Sequence, residues 1–304
     1  MRVSTKTTWI TTCRLFTFNS ANAMTGLLHT DWLKERLAHR RIGGRIEWTP
    51  ECGSTNDLAW DALESGDADG LVVLTEYQVR GRGRLGRCWQ MPRGAGLLMS
   101  VALESAGGDS ASGRPPHDES VGSLTGGTLC MLAALAACVG VQSVTGVTVT
   151  IKWPNDLLIR GRKVGGILIE SRDLASGRRG FVVGMGINCL QQEGHWEGRL
   201  RERATSLELE SSQAISREAV LVSILEAFDD WLSTLQNRSP DDLRDAWRTR
   251  CGDIGGRITL LQNGKTYSGT MLDVDPSAAI ILQLDRGGIR SFDVGDTSVY
   301  QGIS

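Results

Sequence analysis

Residues 152–170 read KWPNDLLIRGRKVGGILIE and decide the fold of the middle of the chain. Two apolar runs, at 157–159 and 164–169, flank a short turn that contains Gly161. This pattern predicts two strands joined as a hairpin. The second run is interrupted by a Gly pair, Gly165 and Gly166, and glycines inside a strand indicate the close approach of a ligand or of another backbone. A polar group, KWPND, precedes the first strand.

Several polar residues in and near this hairpin have two interpretations. A lysine in a turn, such as Lys163, is usually a solvated surface charge, and Asn155 and Asp156 after Pro154 are typical of turns or caps. The neighbouring glycines favour a ligand site instead. Asn188 is a similar case, because it follows a Gly-x-Gly turn at the end of a predicted strand.

The composition describes an ordinary globular protein. Of the 304 residues, 40% are hydrophobic and 22% are charged, and the formal net charge is −2. No overall basic field attracts nucleic acid or membrane, so we expect neither as a partner. The seven cysteines contain no CxxC pair, and the four histidines have no metal-ligand spacing. We therefore expect a reduced, cytoplasmic protein without a fixed metal site, and no apolar stretch that approaches the ~18 residues of a membrane span.

The chain divides into three parts. Residues 1–23 have basic but no acidic side chains and are predicted to form a disordered extension; a secretion signal is the weaker alternative. A large domain is predicted over 24–250. From 251 to 304, short strand-like runs alternate with turn signals such as Asn263-Gly264, which predicts a small five-stranded barrel.

The large domain mixes helix and strand signals. A Ser-x-x-Asp pattern at 54–57 predicts a helix N-terminus, whose free N–H groups could face a polar ligand. Ser216 is predicted to cap a second amphipathic helix. Further helices are predicted at 31–41 and 123–139, and strands at 46–48, 71–77, 97–103 and 181–183.

The stretch QVRGRGRLGRCW, at 78–89, is rich in Arg and Gly. It contains a formal G-x-G-x-x-G pattern, but no long helix follows, so a dinucleotide-binding turn is rejected. A solvated basic loop and an RGG-like nucleic-acid segment are the alternatives. Because the stretch lies between two predicted buried strands, a loop that orders around an anionic ligand is favoured.

Four blocks, taken together and in order, resemble the biotin–protein ligases, and the resemblance extends from about residue 46 to the C-terminus. The blocks are Ser54-Thr55-Asn56, the loop from Gln78 to Trp89, the KWPND…GRKxGGIL hairpin, and the Gly184-x-Gly186-Ile187-Asn188 turn. The resemblance implies an α+β fold related to the class II aminoacyl-tRNA synthetases. This is the biotin–lipoate ligase catalytic domain, a mixed sheet with helices, followed by a small C-terminal SH3-like β-barrel.

The resemblance also implies a reaction. Biotin and ATP, with Mg²⁺ accompanying the nucleotide, would form biotinyl-5′-AMP and pyrophosphate. A specific lysine of a biotin carboxyl carrier domain, as in acetyl-CoA carboxylase, would then take the biotinyl group and release AMP. A lipoate–protein ligase of the same fold and a catalytically inactive biotin-binding module are the alternatives, and a homodimer is left open. Too few residues precede Ser54 for the winged helix of longer members, so we expect no operator binding.

The resemblance assigns roles to individual residues. It gives catalytic roles to Lys163, Arg84 and Asp156. The residues implied for biotin are Ser54, Thr55, Asn56, Gln78, Gly81, Arg82, Gly83, Arg84, Lys163 and Gly166. The residues implied for ATP are Arg84, Arg87, Trp89, Asn155 and Asn188.

Overall fold

The computed structural model describes residues 27–105, 124–235, 239–275 and 277–300. The predicted extension at 1–23 and nearly all of the polar loop at 105–120 lie outside these residues.

A mixed sheet of seven strands forms the centre of the larger part of the chain. Its strands are β1 (Arg45–Thr49), β2 (Leu71–Thr75), β3 (Gly96–Glu104), β4 (Thr150–Lys152), β5 (Asp156–Ile159), β6 (Arg162–Asp173) and β7 (Arg179–Asn188). They lie in the order β1-β2-β3-β7-β6-β5-β4, with β1 and β2 parallel and all other neighbours antiparallel. The predicted hairpin is confirmed as β5 and β6, whereas β4 was missed.

Helices pack on both faces of this sheet. The helices are α1 (Thr30–Leu37), α2 (Thr55–Ser65), α3 (Gly126–Thr145), α4 (Leu200–Arg203), α5 (Leu207–Glu210), α6 (Arg217–Thr234) and α7 (Pro240–Arg248). Successive strand residues point to opposite faces. Accordingly, Val183 packs in the core cluster of α3 and α6, whereas Val182 packs in a second cluster with α2. Ser216 caps α6 as predicted, because its side chain accepts a hydrogen bond from the Ala219 N–H at 3.1 Å.

Helix α3 is apolar around its whole circumference. By length and composition it could cross a membrane, with a mean hydropathy of 1.8, so the expectation that no stretch approaches that length was wrong. However, 72% of this stretch is buried inside the protein. Its close packing on α6 requires Gly140, since a Cβ there would lie 2.6 Å from the backbone nitrogen of Ile224. Its hydrophobicity is therefore that of a core helix.

The C-terminal strands form a five-stranded antiparallel sheet. They are β8 (Arg257–Gln262), β9 (Lys265–Val274), β10 (Ile280–Leu284), β11 (Ile289–Phe292) and β12 (Thr297–Val299), in the order β11-β10-β9-β8-β12. Asn263 and Gly264 have φ values of 50° and 74° and form the predicted hairpin turn between β8 and β9. The sheet is consistent with an SH3-like domain, but no pairing of β11 with β12 closes a barrel in the described ranges. The domain limits 24–250 and 251–304 stay a prediction.

The KWPND segment attaches the C-terminal sheet to the larger one. Trp153 is 1% exposed, and its Nε1 donates a hydrogen bond to the Ala278 carbonyl at 2.9 Å. Its backbone N–H donates to Oδ2 of Asp253 at 3.1 Å. Gly127 of α3 touches the same turn, because a Cβ there would lie 1.8 Å from the Ser277 carbonyl oxygen. Two hydrogen bonds from Trp153 thus hold the segment before β5 against the C-terminal part of the chain.

We predict that Asp253→Asn stabilises the protein at neutral and higher pH. Burial raises the pKa of Asp253, and this effect exceeds the opposing hydrogen bond from the Trp153 N–H and the attraction of Lys152. An acid whose pKa is raised by folding costs stability once it is ionised, and costs nothing below its unfolded pKa of about 4. Asparagine keeps an acceptor oxygen for Trp153 without the charge.

The thermal midpoint should therefore be higher for Asp253→Asn at pH 8, and the gain should disappear as the pH falls toward about 4. Asp61→Asn, at an exposed position of α2, is the control and should show no such trend. A lower midpoint for Asp253→Asn at pH 8 would contradict the prediction.

Candidate functional site

Three glycines form a floor on the face of the sheet that carries α2. Gly166 pairs with Gly186 across β6 and β7, and Gly184 lies two residues earlier on β7, on the same face. A Cβ at position 186 would lie 2.5 Å from the ring of Trp89, and one at 184 would lie 2.3 Å from Oδ1 of Asn56. We call these three residues the glycine floor; they let other side chains lie directly on the sheet.

Only one glycine of the pair in the quoted hairpin belongs to this floor. A Cβ at Gly166 would lie 3.3 Å from Trp89 and 3.4 Å from Nζ of Lys163. A Cβ at Gly165 would instead lie 2.8 Å from Ile187 and 2.9 Å from the Gly186 carbonyl, in the packed core. The two glycines are therefore required for different reasons: Gly166 faces the site, and Gly165 faces the packed core.

A wall of polar side chains, all buried except the partly buried Gln78, stands at one end of the floor. Oε1 of Gln78 accepts hydrogen bonds from the backbone N–H of Thr55 at 2.8 Å and from its hydroxyl at 3.2 Å. Oγ of Ser100 lies 2.7 Å from the Thr55 hydroxyl and 2.6 Å from Oδ1 of Asn56. Sequence reasoning missed Ser100, although it is the one polar residue between Gly96 and Leu103.

Two groups of this wall keep hydrogen-bonding capacity. Ser54 occupies the predicted N-cap position of α2, but its side chain makes no capping hydrogen bond. Nδ2 of Asn56 is buried and has no hydrogen-bond partner in the part of the chain that the structure describes. A buried donor that stays unpaired costs about 1–3 kcal/mol, so the wall is suited to a ligand that accepts hydrogen bonds.

A lysine and a carboxylate meet above the floor. Nζ of Lys163 lies 2.5 Å from Oδ1 of Asp156 and 5.4 Å from the ring centroid of Trp89. Asp156 pairs with Gly166 across β5 and β6, which fixes it at the edge of the floor. The structure thus brings together the residues that the resemblance implies for the reacting groups, apart from Arg84.

Residues 81–89 fold back on themselves, and we call this segment the arginine hairpin. Arg82 pairs with Cys88, and the N–H of Trp89 donates to the Gly81 carbonyl at 2.9 Å. A Cβ at Gly81 would lie 2.3 Å from the Trp89 carbonyl oxygen, so this crossing requires glycine. At the tip, Leu85 has a φ of 57°. The predicted flexible loop is thus a compact turn that places the Trp89 ring on the glycine floor.

The arginines of this hairpin differ in their surroundings. Arg84 donates from Nη2 to the carbonyls of Val294 at 2.5 Å and of Thr297 at 3.1 Å, both in the C-terminal part of the chain. Burial lowers the pKa of its guanidinium. Arg82 contacts two carboxylates, and Arg87 is exposed. A place for Arg84 beside a phosphate, and contacts of Arg82, Gly83 and Arg87 with ligands, stay predictions.

The two asparagines assigned to the nucleotide hold the backbone together. Nδ2 of Asn155 donates to the Ile167 carbonyl at 2.6 Å. Nδ2 of Asn188 donates to the Thr205 carbonyl at 2.9 Å, and its Oδ1 accepts from Nε2 of Gln191 at 3.0 Å. Their contact with ATP stays a prediction, whereas their support of strand ends at the site is visible.

Sequence reasoning also missed Glu210, whose side chain is completely buried. It accepts hydrogen bonds from Arg162 at 2.6 Å and from the Thr205 hydroxyl at 2.8 Å. The N–H of Thr205 donates to the carbonyl of Lys163 at 2.9 Å. Glu210 therefore fixes the backbone on both sides of Lys163. Nothing in the sequence around 207–210, LELE, marks this glutamate as buried rather than solvated.

We predict that Gly186→Ala displaces Trp89 from the floor. The added methyl would lie 2.5–2.8 Å from three atoms of the indole ring, closer than carbon atoms pack, and overpacking typically costs about 1–3 kcal/mol. A red-shifted tryptophan fluorescence and a lower stability are expected. The matched control is Gly194→Ala, where an added Cβ meets no atom within 4 Å; equal spectra for the two variants would refute the contact.

Comparison with known proteins agrees with this geometry. A profile of the Biotin/lipoate A/B protein ligase family matches residues 48–188. The biotin–[acetyl-CoA-carboxylase] ligase of Paracoccus denitrificans is 32% identical over 232 residues, 74% of this chain and 89% of that protein. The corresponding ligase of Mycobacterium tuberculosis is 30% identical over 263 residues, 84% of this chain and 89% of that protein.

A solved structure confirms the expected fold. The biotin protein ligase of Aquifex aeolicus in complex with biotin and ATP superposes with a TM-score of 0.67 at 22% identity, covering 85% of this chain and 99% of that one. Sequence relatives and fold agree over most of the length, and the chain belongs to the biotin–protein ligase family.

Proposed function

We propose that this chain joins biotin to ATP to give biotinyl-5′-AMP, and then transfers the biotinyl group to a lysine of a biotin carboxyl carrier domain of acetyl-CoA carboxylase or a related carboxylase. One observation carries the proposal. A lysine–carboxylate pair and two buried donors, Nδ2 of Asn56 and Nε1 of Trp89, lie at the glycine floor, and neither donor has a hydrogen-bond partner among the described residues. A ligand with acceptor oxygens that binds beside these two side chains would pair both donors.

The polar wall suits the ureido head of biotin. That head has one carbonyl oxygen and two N–H groups, so it needs both donors and acceptors. Ser54 and Asn56 supply a hydroxyl and an amide donor. Thr55 offers its hydroxyl oxygen, because the hydroxyl proton already donates to Gln78, whose oxygen is a further acceptor. Because these groups are buried, each hydrogen bond discriminates against a ligand that lacks the matching atom.

The cation above the floor suits the adenylation step. A carboxylate oxygen of biotin must approach the α-phosphate of ATP, and two unit anions 4 Å apart repel by about 4 kcal/mol at an effective dielectric constant of 20. Lys163 offsets this repulsion and stabilises the charge that grows on the phosphoryl oxygens as pyrophosphate leaves. Asp156 holds the Lys163 ammonium in position. Arg84 is proposed as the second cation, because its charge interacts with that of Asp156 although its Nη2 contacts carbonyls of the C-terminal part.

The transfer step needs a neutral amine. The carrier lysine attacks the carbonyl carbon of the mixed anhydride, an amide bond forms, and AMP leaves with the electrons of the broken C–O bond while the nitrogen loses one proton to solvent. Asp156, at the edge of the floor, orients the incoming amine. Trp89, Asn155 and Asn188 are proposed to contact the nucleotide.

Magnesium is proposed to arrive with the nucleotide. In the four described ranges, no group of three His, Cys, Asp or Glu side chains could hold a metal ion. Asp156 is already paired with Lys163. The phosphates of ATP would therefore provide the main ligands.

The remaining partners and the compartment are also proposals. The net charge of −2 supports a chain that acts without nucleic acid. The cysteines within the described ranges are free thiols, which supports a reducing cytoplasm.

The reaction is tested by incubating the protein with ATP, a carrier domain, and either labelled biotin or labelled lipoate. Biotin-dependent exchange of pyrophosphate into ATP and label on the carrier are expected with biotin. Transfer of lipoate alone would replace the proposal by a lipoate–protein ligase. Biotin binding without exchange would identify an inactive binding module.

We predict that Lys163→Ala and Arg84→Ala each slow adenylate formation by ~10² or more, as for other fixed charges that stabilise a transition state. The measurement is the rate of biotin-dependent pyrophosphate exchange. Lys265→Ala, at an exposed position of β9, is the control and should exchange at the wild-type rate. Wild-type exchange in either site variant would remove that residue from the mechanism.

A further inference from the structure

The guanidinium of Arg82 lies between two carboxylates from different elements. Nη1 lies 2.7 Å from Oδ1 of Asp57 in α2, and Nη2 lies 3.2 Å from Oε1 of Glu170 in β6. The resemblance assigns Arg82 to biotin, yet its charge is offset here by the protein itself. We propose that Asp57 and Glu170 are positioning residues that hold the arginine hairpin closed through Arg82 and so determine how long the activated biotin is retained. This inference rests on the proposed function.

Both carboxylates are placed for this contact. Oε2 of Glu170 accepts a hydrogen bond from Nε1 of Trp60 at 2.8 Å, which orients its other oxygen toward Arg82. The Trp60 ring is itself covered by the guanidinium of Arg172, 4.4 Å from the ring centroid. Asp57 lies in the first turn of α2, beside the polar wall. The planar guanidinium thus bridges the two sides of the site with a separate N–H edge for each carboxylate.

The position of Arg82 affects that of Trp89, the hairpin residue that lies on the glycine floor. Arg82 pairs with Cys88 inside the hairpin, and Cys88 precedes Trp89, whose ring covers the glycine floor. If Arg82 leaves its carboxylates, the hairpin loses its ion pairs to α2 and β6 and keeps its tip contact through Arg84 and the packing of Trp89 on the glycine floor. We call Arg82 with Asp57 and Glu170 the clasp. Breaking the clasp therefore loosens the arginine hairpin, which covers the glycine floor.

The chemistry gives this cover a function. Biotinyl-5′-AMP is a mixed anhydride, and water can attack its acyl carbon to give biotin and AMP without modifying any carrier. A closed hairpin excludes water until the carrier lysine arrives. The side chains of Arg82, Asp57 and Glu170 are 36%, 43% and 24% exposed, and ion pairs at such exposure stabilise weakly and are screened by salt. Weak ion pairs suit this role, because the arginine hairpin must open in every turnover.

The test compares Asp57→Asn, Glu170→Gln and the double variant with two matched controls. Asp61→Asn removes an exposed carboxylate from the same helix, and Asp173→Asn removes one from the same strand, where it pairs with Arg179. Glutamine at 170 retains an acceptor for Trp60, and Asp57→Glu retains the charge at 57. Hydrogen exchange of residues 81–89 is measured on the protein alone.

The second measurement follows biotinyl-5′-AMP formed in place by biotin and ATP, without carrier. In the double variant we expect faster exchange of residues 81–89 and loss of the adenylate about tenfold faster, as for two exposed ion pairs. The rate of its formation should change much less. Loss from the wild type should accelerate with ionic strength, whereas loss from the double variant should not; Asp57→Glu and both controls should behave as the wild type.

Wild-type exchange and wild-type retention in the double variant would overturn the clasp. An equal fall in formation and retention would also overturn it, because a general loss of site structure would then explain the result. If the wild-type chain forms no biotinyl-5′-AMP at all, the proposed function fails, and the hydrogen-exchange comparison alone still decides whether the two carboxylates hold the hairpin.

Discussion

The absence of three side chains on neighbouring strands is the constraint from which the rest of the site follows. Because Gly166, Gly184 and Gly186 carry no Cβ, an indole ring and an amide can lie directly on the backbone of the sheet. Everything else is arranged around this flat area: Lys163 above one side, the polar wall at one end, and the arginine hairpin over the top. A surface made of main chain also leaves room for a ligand, because no side chain of the floor itself competes for the same space.

Much of the fold could be predicted from local pattern. The β5–β6 hairpin, α6 with its Ser216 cap and the Asn-Gly turn all depend on neighbouring residues, so their sequences were sufficient. Strand β4 has three residues and carries too little periodic signal. Helix α7 was missed although Ser239 caps it, a proline follows in its first turn, and its buried Leu243 and Trp247 lie four residues apart. Helix α3 shows the opposite problem: its composition suits both a membrane and a core, and only the packing of Gly140 against α6 distinguishes them.

Contacts within the site were predictable where the partners lie close together in the sequence, and not where they come from distant segments. Lys163 and Asp156 are seven residues apart and meet through the hairpin. Glu210 and Ser100 reach the site from elsewhere in the chain, and each looks ordinary in its own segment. Arg82 shows a further limit, because a sequence can suggest that an arginine binds an anion but not that Asp57 and Glu170 are those anions.

The contact of Arg84 with the C-terminal part of the chain has a consequence for sequence variation. The guanidinium donates hydrogen bonds there to the main-chain oxygens of Val294 and Thr297, atoms that every amino acid possesses. Exchanges of residue type along 294–297 that preserve the backbone path would leave this anchorage intact, whereas lengthening the segment by one residue would move both oxygens. Relatives can thus diverge in composition here and still conserve the link, provided that the spacing is kept.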